Sequence, residues 1–372
     1  MKFIQIMPRF PTGCTFQIDK KENFYLYPTI IAEKLGLDPE IWCLKKKGLK
    51  KQQTLFGVTI KRFSYISLIK HLFLDKGIAL IYTHLRPFPP SLLASLTNKP
   101  TTLIPHTYGL GSNFLIKKIS LFFMKRFTKV ICLTPYEEEI YKKNGLKNTI
   151  LLPHAINYKF FSKKNKEDVR NKLNLKRNDF VIVTFANFRK FKNLDVMVNA
   201  FKIFNNKVKG SKFIIIGKDL LQSDFYKEQK KQKGPTSIKE LIEKTKTNNS
   251  VSYLGELNHK DLKDVLYTSD LFVNSSDPET MGIAVYEAAS TGLPLCLSDI
   301  GSFRTVFGEY VLYNKPKDPI KLAENFMAYY KSKKLRKKNS IYLKKKMKEW
   351  NYQNTTRKIE KLLGTLIKRN KK

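Results

Sequence analysis

Two glutamates and a glycine in DPETMGIAVYEAASTGLPL (residues 277–295) have types and spacing that could do chemistry. Ile283, Val285, Tyr286, Ala288 and Ala289 favour burial, and Gly292 followed by Pro294 gives a stop, so the run reads as a helix over 282–291. Glu287 stands inside that apolar run, where a carboxylate needs a partner for its charge. Glu279 stands just before it, and Gly282 occupies the expected first turn, where glycine costs about 1 kcal/mol relative to alanine. A helix N-terminus favours anions, and a glycine there lets backbone N–H groups approach a phosphate closely. Glu287 on the same helix suits a diol, whose hydroxyls a carboxylate can accept. The bland alternative is that Ser276-x-x-Glu279 is a capping box and Glu287 pairs with a lysine. It leaves Gly282 and the apolar surroundings of Glu287 unexplained.

The elements that must position these residues alternate along the chain. Short buried runs at 2–8, 79–85, 101–106, 129–135, 180–186, 212–217, 251–255, 271–276 and 293–298 read as strands. Helix-length segments at 23–36, 111–126, 136–144, 194–206, 237–247, 259–268 and 282–291 lie between them, and from 331 on the chain reads as basic helix. This pattern predicts parallel sheets wound by helices, in two doubly wound domains joined near 154–178. The expected boundaries are 1–158 and 159–350, with a terminal helix at about 351–372 returning to the first domain. QSDFYKEQKKQKGPT (222–236) reads as an exposed loop. Ligands of such sheets bind at the carboxyl ends of strands, where LFVNSS places Glu279.

E-T-M-G-I-A-V-Y-E-A-A-S-T-G-L-P resembles the donor-site signature of retaining glycosyltransferases of family 4, roughly E-G-F-G-x-x-x-x-E-A-x-A-x-G-x-P. That resemblance implies a GT-B fold, two Rossmann-like domains facing across a cleft. It implies that Glu279 holds donor-sugar hydroxyls, that Glu287 holds the nucleotide ribose, and that the Met281–Gly282–Ile283 turn gives backbone amides to sugar and diphosphate. Gly217, ending KFIIIG, is assigned to the same nucleotide-sugar site. ANFRKFKNLDVMVNAF (186–201) resembles the family's R-x-x-K-[GN] stretch, so Arg189 and Lys192 neutralise the leaving diphosphate. With no D-x-D pair in the chain, no metal is expected. In the first domain IPHTYGLG (104–111) places His106 where the family has a histidine contacting the donor sugar. Four departures stand out. Thr280 and Met281 replace Gly and Phe, PRFPTGC carries Gly13 alone where a Gly-rich loop is usual, LPHAIN replaces P-N-G-[IV]-D, and Ser302 and Thr305 stand where Gly and Glu are usual.

The 372 residues carry 70 Lys and Arg against 31 Asp and Glu, a net charge of +39. Such a field attracts polyanions, although part of the lysine excess reflects bias in composition. No apolar run approaches the length of a membrane span, and MKFIQIMPRF has no signal-peptide core. Cys14, Cys43, Cys132 and Cys296 lack CxxC spacing, which suits a reducing cytoplasm and no zinc site. The expected activity is retaining transfer of a sugar from a nucleotide-diphosphate sugar to a glycan or lipid-linked acceptor, without cofactor or metal, by a cytoplasmic enzyme peripheral to the membrane. The membrane expectation rests on FLIKKISLFFMKRFTK (114–129), where Leu115, Ile116, Ile119, Phe122, Phe123 and Phe127 form a docking face. Lys117, Lys118, Lys125 and Lys129 lie opposite, with Leu121 and Met124 exposed among them for an anionic surface. The alternatives are a sugar-nucleotide 2-epimerase, for which no acid–base set is evident, and a nucleic-acid-binding protein, for which no recognition motif is evident.

Overall fold

The computed structural model describes residues 1–7, 26–84, 89–106, 114–163, 169–221, 237–247 and 249–370. Gly13, Cys14, the 222–236 segment and positions 107–113 lie outside the described residues. The chain divides into two compact units, Met1–Ala155 with Tyr352–Lys372, and Ile156–Asn351.

The first unit runs β1 (Lys2–Ile6), α1 (Tyr27–Lys34), β2 (Asp38–Leu44), β3 (Gln52–Leu55), β4 (Val58–Phe63), α2 (Tyr65–Leu74) and β5 (Ile78–His84). It continues through α3 (Pro89–Ala94), β6 (Thr101–Ile104), α4 (Phe114–Arg126), β7 (Lys129–Cys132), α5 (Pro135–Lys143) and β8 (Thr149–Leu151). The sheet order is β3-β4-β2-β1-β5-β6-β7-β8, parallel throughout except for the antiparallel β3–β4 pair. Its chain order reverses direction between β1 and β5, the topological switch point at which doubly wound sheets hold ligands. Ile4, Ile6, Trp42, Leu68, Leu72 and Ile81 form one core cluster under the sheet.

The second unit runs α6 (Tyr158–Phe161), β9 (Phe180–Phe185), α7 (Leu194–Lys207), β10 (Ser211–Ile216), α8 (Ile238–Thr245), β11 (Val251–Tyr253) and α9 (His259–Thr268). Then come β12 (Leu271–Asn274), α10 (Ile283–Thr291), β13 (Leu295–Ser298), α11 (Gly301–Phe307), β14 (Leu312–Asn314), α12 (Pro319–Lys331) and α13 (Lys333–Glu349). Its six parallel strands are ordered β11-β10-β9-β12-β13-β14, with the switch between β9 and β12. The core is one large cluster in which α7 residues such as Phe201 and Phe204 meet Phe213 of β10 and Phe326 of α12. The last helix, α14 (Tyr352–Asn370), returns to the first unit and packs on α1, with Tyr352 edge-on to Tyr27 at 4.5 Å between ring centroids.

Two sequence readings need correction. Strands β2, β3, β4, β8 and β14 had no counterpart among the expected strands; in β2, Pro39 and the polar opening disguise a run buried from Glu40 to Cys43. The face assigned to α4 is the wrong one. Met124 is buried and Leu121 packs on the core with Phe127, whereas Leu115, Ile116, Ile119 and Phe122 are exposed. Ser120 is buried on the same side as Met124.

Candidate functional site

The residues singled out in the second unit gather at the carboxyl ends of β9 and β12, on the two sides of the switch point. After β9 the chain extends through Arg189 into a 3₁₀ turn, Lys190–Lys192, and ends at Asn193 in a left-handed conformation, φ 49°. That conformation explains why glycine or asparagine suits the position. The Asn193 amide donates to the Ser275 carbonyl at 2.8 Å, and Asp277 N–H donates to the Phe191 carbonyl at 2.8 Å. These two bonds stitch the R-x-x-K loop to the end of β12. They bring Lys192 into an ion pair with Glu279, both side chains about 15% exposed or less. Arg189, half-buried at the head of the turn, makes no ion pair with Glu279 or Glu287.

Gly282 is the N-cap of α10 and lies outside its first turn, which corrects the sequence reading of its cost. Its φ is +66°, and an added Cβ would stand 3.0 Å from Glu279 Cγ and 3.3 Å from the Phe303 ring. Glycine is therefore required both by conformation and by the closeness of Glu279. No side chain caps α10, so the capping-box reading of Ser276 and Glu279 is not realised. Met281 is buried, which leaves its backbone as the part that can serve a ligand, and Ile283 opens the helix half-exposed. Ser302 donates its hydroxyl to the Glu279 carbonyl at 2.9 Å, so the residue that replaces a usual glycine tethers this turn. Gly217, at the end of β10, has φ 129°, and a Cβ there would come within 2.0 Å of the Ala186 carbonyl oxygen. Glu287 is largely buried on α10, with His259 Nε2 of α9 at 3.9 Å from its carboxylate.

His106 lies in the first unit, beyond the end of β6. Its φ of +54° is uncommon for any residue but glycine. Its ring lies nearly parallel to those of His84 and His154, at centroid distances of 5.3 and 5.4 Å. Burial pushes the His106 imidazole down to about 4, and it pushes His84 and His154 well below the ordinary histidine value. All three rings are therefore neutral at neutral pH. Sequence reasoning missed Gln5 and His84, gave Asn193 no role of its own although it is the last position of R-x-x-K-[GN], and noted Ser302 only as a departure without its bond to the Glu279 carbonyl. Among the described residues no group of three or more His, Cys, Asp or Glu side chains could hold a metal ion. Cys43, Cys132 and Cys296 are free thiols, all buried.

Residues 165–346, just under half of the chain, match the family model described as glycosyl transferases group 1. The chain is 32% identical over 191 residues to an Escherichia coli UDP-Gal:alpha-D-GlcNAc-diphosphoundecaprenol alpha-1,3-galactosyltransferase, covering 50% of this chain but only 46% of that protein. It is 24% identical over 309 residues to the alpha-monoglucosyldiacylglycerol synthase of Acholeplasma laidlawii, covering 74% and 71% of the two chains. Among solved structures, a sucrose-phosphate synthase from Thermosynechococcus elongatus superposes with a TM-score of 0.76 at 16% identity, over 99% of both chains. Anabaena HepE in complex with UDP gives 0.78 at 14% identity, over 98% and 100%. At these identities the structures speak for the fold alone, which is GT-B. The family match falls within the second unit, where Arg189, Lys192, Glu279 and Glu287 lie, and the shared fold extends over nearly the whole chain.

Proposed function

We propose that this protein is a retaining glycosyltransferase that moves a sugar from a nucleotide-diphosphate sugar to a glycan or lipid-linked acceptor at an anionic membrane surface. The observation that carries the reading is the joining of Lys192, Glu279 and the left-handed Gly282 at the switch point of a doubly wound sheet, with Glu287 on the helix that follows. The N-terminus of α10 and the cations Arg189 and Lys192 stabilise the departing diphosphate, and charge stabilisation on the leaving group is the main catalytic term. That diphosphate helps deprotonate the acceptor hydroxyl on the face it leaves, so configuration is retained. Glu279 orients the sugar, Glu287 the ribose, and His106 contacts the donor sugar. Of the two sequence relatives, one is named for a diphosphoundecaprenol-linked sugar and the other for a glucosylated diacylglycerol, which supports the acceptor class.

A screen of nucleoside diphosphates and their sugars by melting temperature identifies the donor, because a ligand of the native state raises Tm by mass action. Transfer from that donor then gives a product with the donor's anomeric configuration, and EDTA leaves the rate unchanged. Inversion overturns the mechanism. Loss of activity in EDTA, restored by manganese or magnesium, overturns the metal-free part. Epimerised nucleotide sugar formed without acceptor favours the epimerase.

The membrane part rests on α4 as the structure orients it. Phe114, Leu115, Ile116, Ile119 and Phe122 are 45–69% exposed, with Lys118 over the Phe114 ring and Arg126 over Phe122. On α2, Ile66, Phe73 and Leu74 are exposed as well. Among the described residues no helix is long and apolar enough to cross a membrane. Contact is therefore expected in the plane of the interface, with each lysine worth about 1 kcal/mol near anionic headgroups. The protein binds vesicles rich in anionic lipid, and salt or changing Lys117, Lys118 and Lys125 to glutamate weakens that binding. Equal partitioning onto neutral and anionic vesicles, or none at low salt, would point instead to a soluble acceptor.

A further inference from the structure

The switch point of the first sheet carries a buried polar chain. Gln5, fully buried on β1, places its amide Nε2 2.6 Å from Nε2 of His84, at the end of β5. His84 Nδ1 lies 3.0 Å from His106 Nε2. An amide nitrogen can only donate, so His84 accepts at Nε2 and, being neutral, carries its proton on Nδ1. That N–H donates to His106 Nε2, which must then be unprotonated, and the one proton of the neutral His106 ring sits on Nδ1. His154, on the far side of His106, holds the ring plane by its near-parallel packing. With the Gln5 amide nitrogen turned to His84, each link has one arrangement that satisfies its neighbour, so the state of a ring near the surface is set by a side chain in the core.

The geometry points to Gln5 and His84 as positioning residues that fix His106 as an Nδ1–H donor toward an oxygen of the sugar substrate. The assignment rests on the reading of His106 as a donor-sugar ligand. The burial of His84, with His106 and His154 only partly exposed, fits it, because a relay of neutral imidazoles holds a tautomer without competing charge. The left-handed backbone at His106 fits it too, since a sparsely populated conformation persists where the surroundings over-determine it.

The test uses full-length protein labelled with ¹⁵N in histidine, with the His106 signals assigned by their loss in His106→Ala. Wild-type His84 and His106 both show the Nδ1–H tautomer. Gln5→Leu, which removes the amide donor at similar volume, shifts the His106 signals toward the other tautomer. It lowers kcat about tenfold while the nucleoside diphosphate Kd stays unchanged. His84→Asn, whose amide can still donate from the δ position, retains most of the turnover, and His84→Leu does not. A wild-type His106 in the Nε2–H form, or His106 signals indifferent to Gln5→Leu, overturns the relay. A tautomer shift in Gln5→Leu with full turnover leaves the chain of bonds intact but overturns its catalytic use and the donor-sugar reading of His106. Equal losses in His84→Asn and His84→Leu reduce His84 to a packing role and overturn its assignment.

Discussion

Lys192→Ala is expected to lower transfer on the order of 10² or more, as loss of a key charge stabiliser commonly does, and Arg189→Ala to fall in the same range. The Lys192 case has a second component. In the structure Lys192 already neutralises Glu279, and both side chains are largely withdrawn from water. Without the lysine, the Glu279 carboxylate stands uncompensated where the diphosphate must bind, so the variant loses an attraction and gains a repulsion. Removing Glu279 as well relieves the repulsion. The double variant Lys192→Ala/Glu279→Ala should therefore bind nucleoside diphosphate more tightly than Lys192→Ala alone, while remaining as poor in transfer. Non-additivity of this sign is what residues in direct contact produce. Calorimetric titration of the four proteins decides it, and strictly additive losses would show that the ion pair plays no part in donor binding.

The second large effect separates the two glutamates. Glu287→Ala should weaken nucleotide binding and turnover together, because a ribose ligand acts alike in ground and transition states. Hydrogen bonds to a charged group contribute about 1.5–3 kcal/mol, so nucleotide affinity should fall roughly tenfold to a hundredfold. Glu279→Ala should lose mainly sugar-dependent turnover and bind free nucleoside diphosphate nearly as before. Steady-state kinetics beside nucleotide titrations read this directly. Wild-type transfer by either variant removes that residue from the donor site.

What the chain announces and what it conceals differ for physical reasons. Two parallel sheets wound by helices were legible, because buried parallel strands are short continuous apolar runs such as FVIVTF and KFIIIG. The segment 277–295 was legible because a carboxylate in an apolar helix and a glycine at its head are both costly without a reason. The Lys192–Glu279 contact was not, since it depends on tertiary bonds from Asn193 and Asp277 that no local pattern encodes. The α4 face was misread because the helix is apolar nearly all round. Periodicity then cannot choose a side, and the tertiary packing of Leu121, Met124 and Phe127 on the core does. The histidine cluster escaped because Gln5, His84, His106 and His154 come from four chain segments that only the strand order unites.

The return of α14 to the first unit sets an order of events during synthesis. Thr355 and Ile359 of this helix line the same small cavity as Tyr27, His84 and His154, and its Leu363 and Leu366 are buried as well. On the ribosome the segment 1–155 emerges first but lacks this cover, and the whole second unit, 156–351, must follow before α14 is available. Domains generally fold as units while the chain is made. Here the second unit is an uninterrupted stretch and can fold during elongation, whereas the first waits for α14. The nascent chain thus has its proposed donor site before its histidine cluster is covered, and that cover waits until α14 has been made.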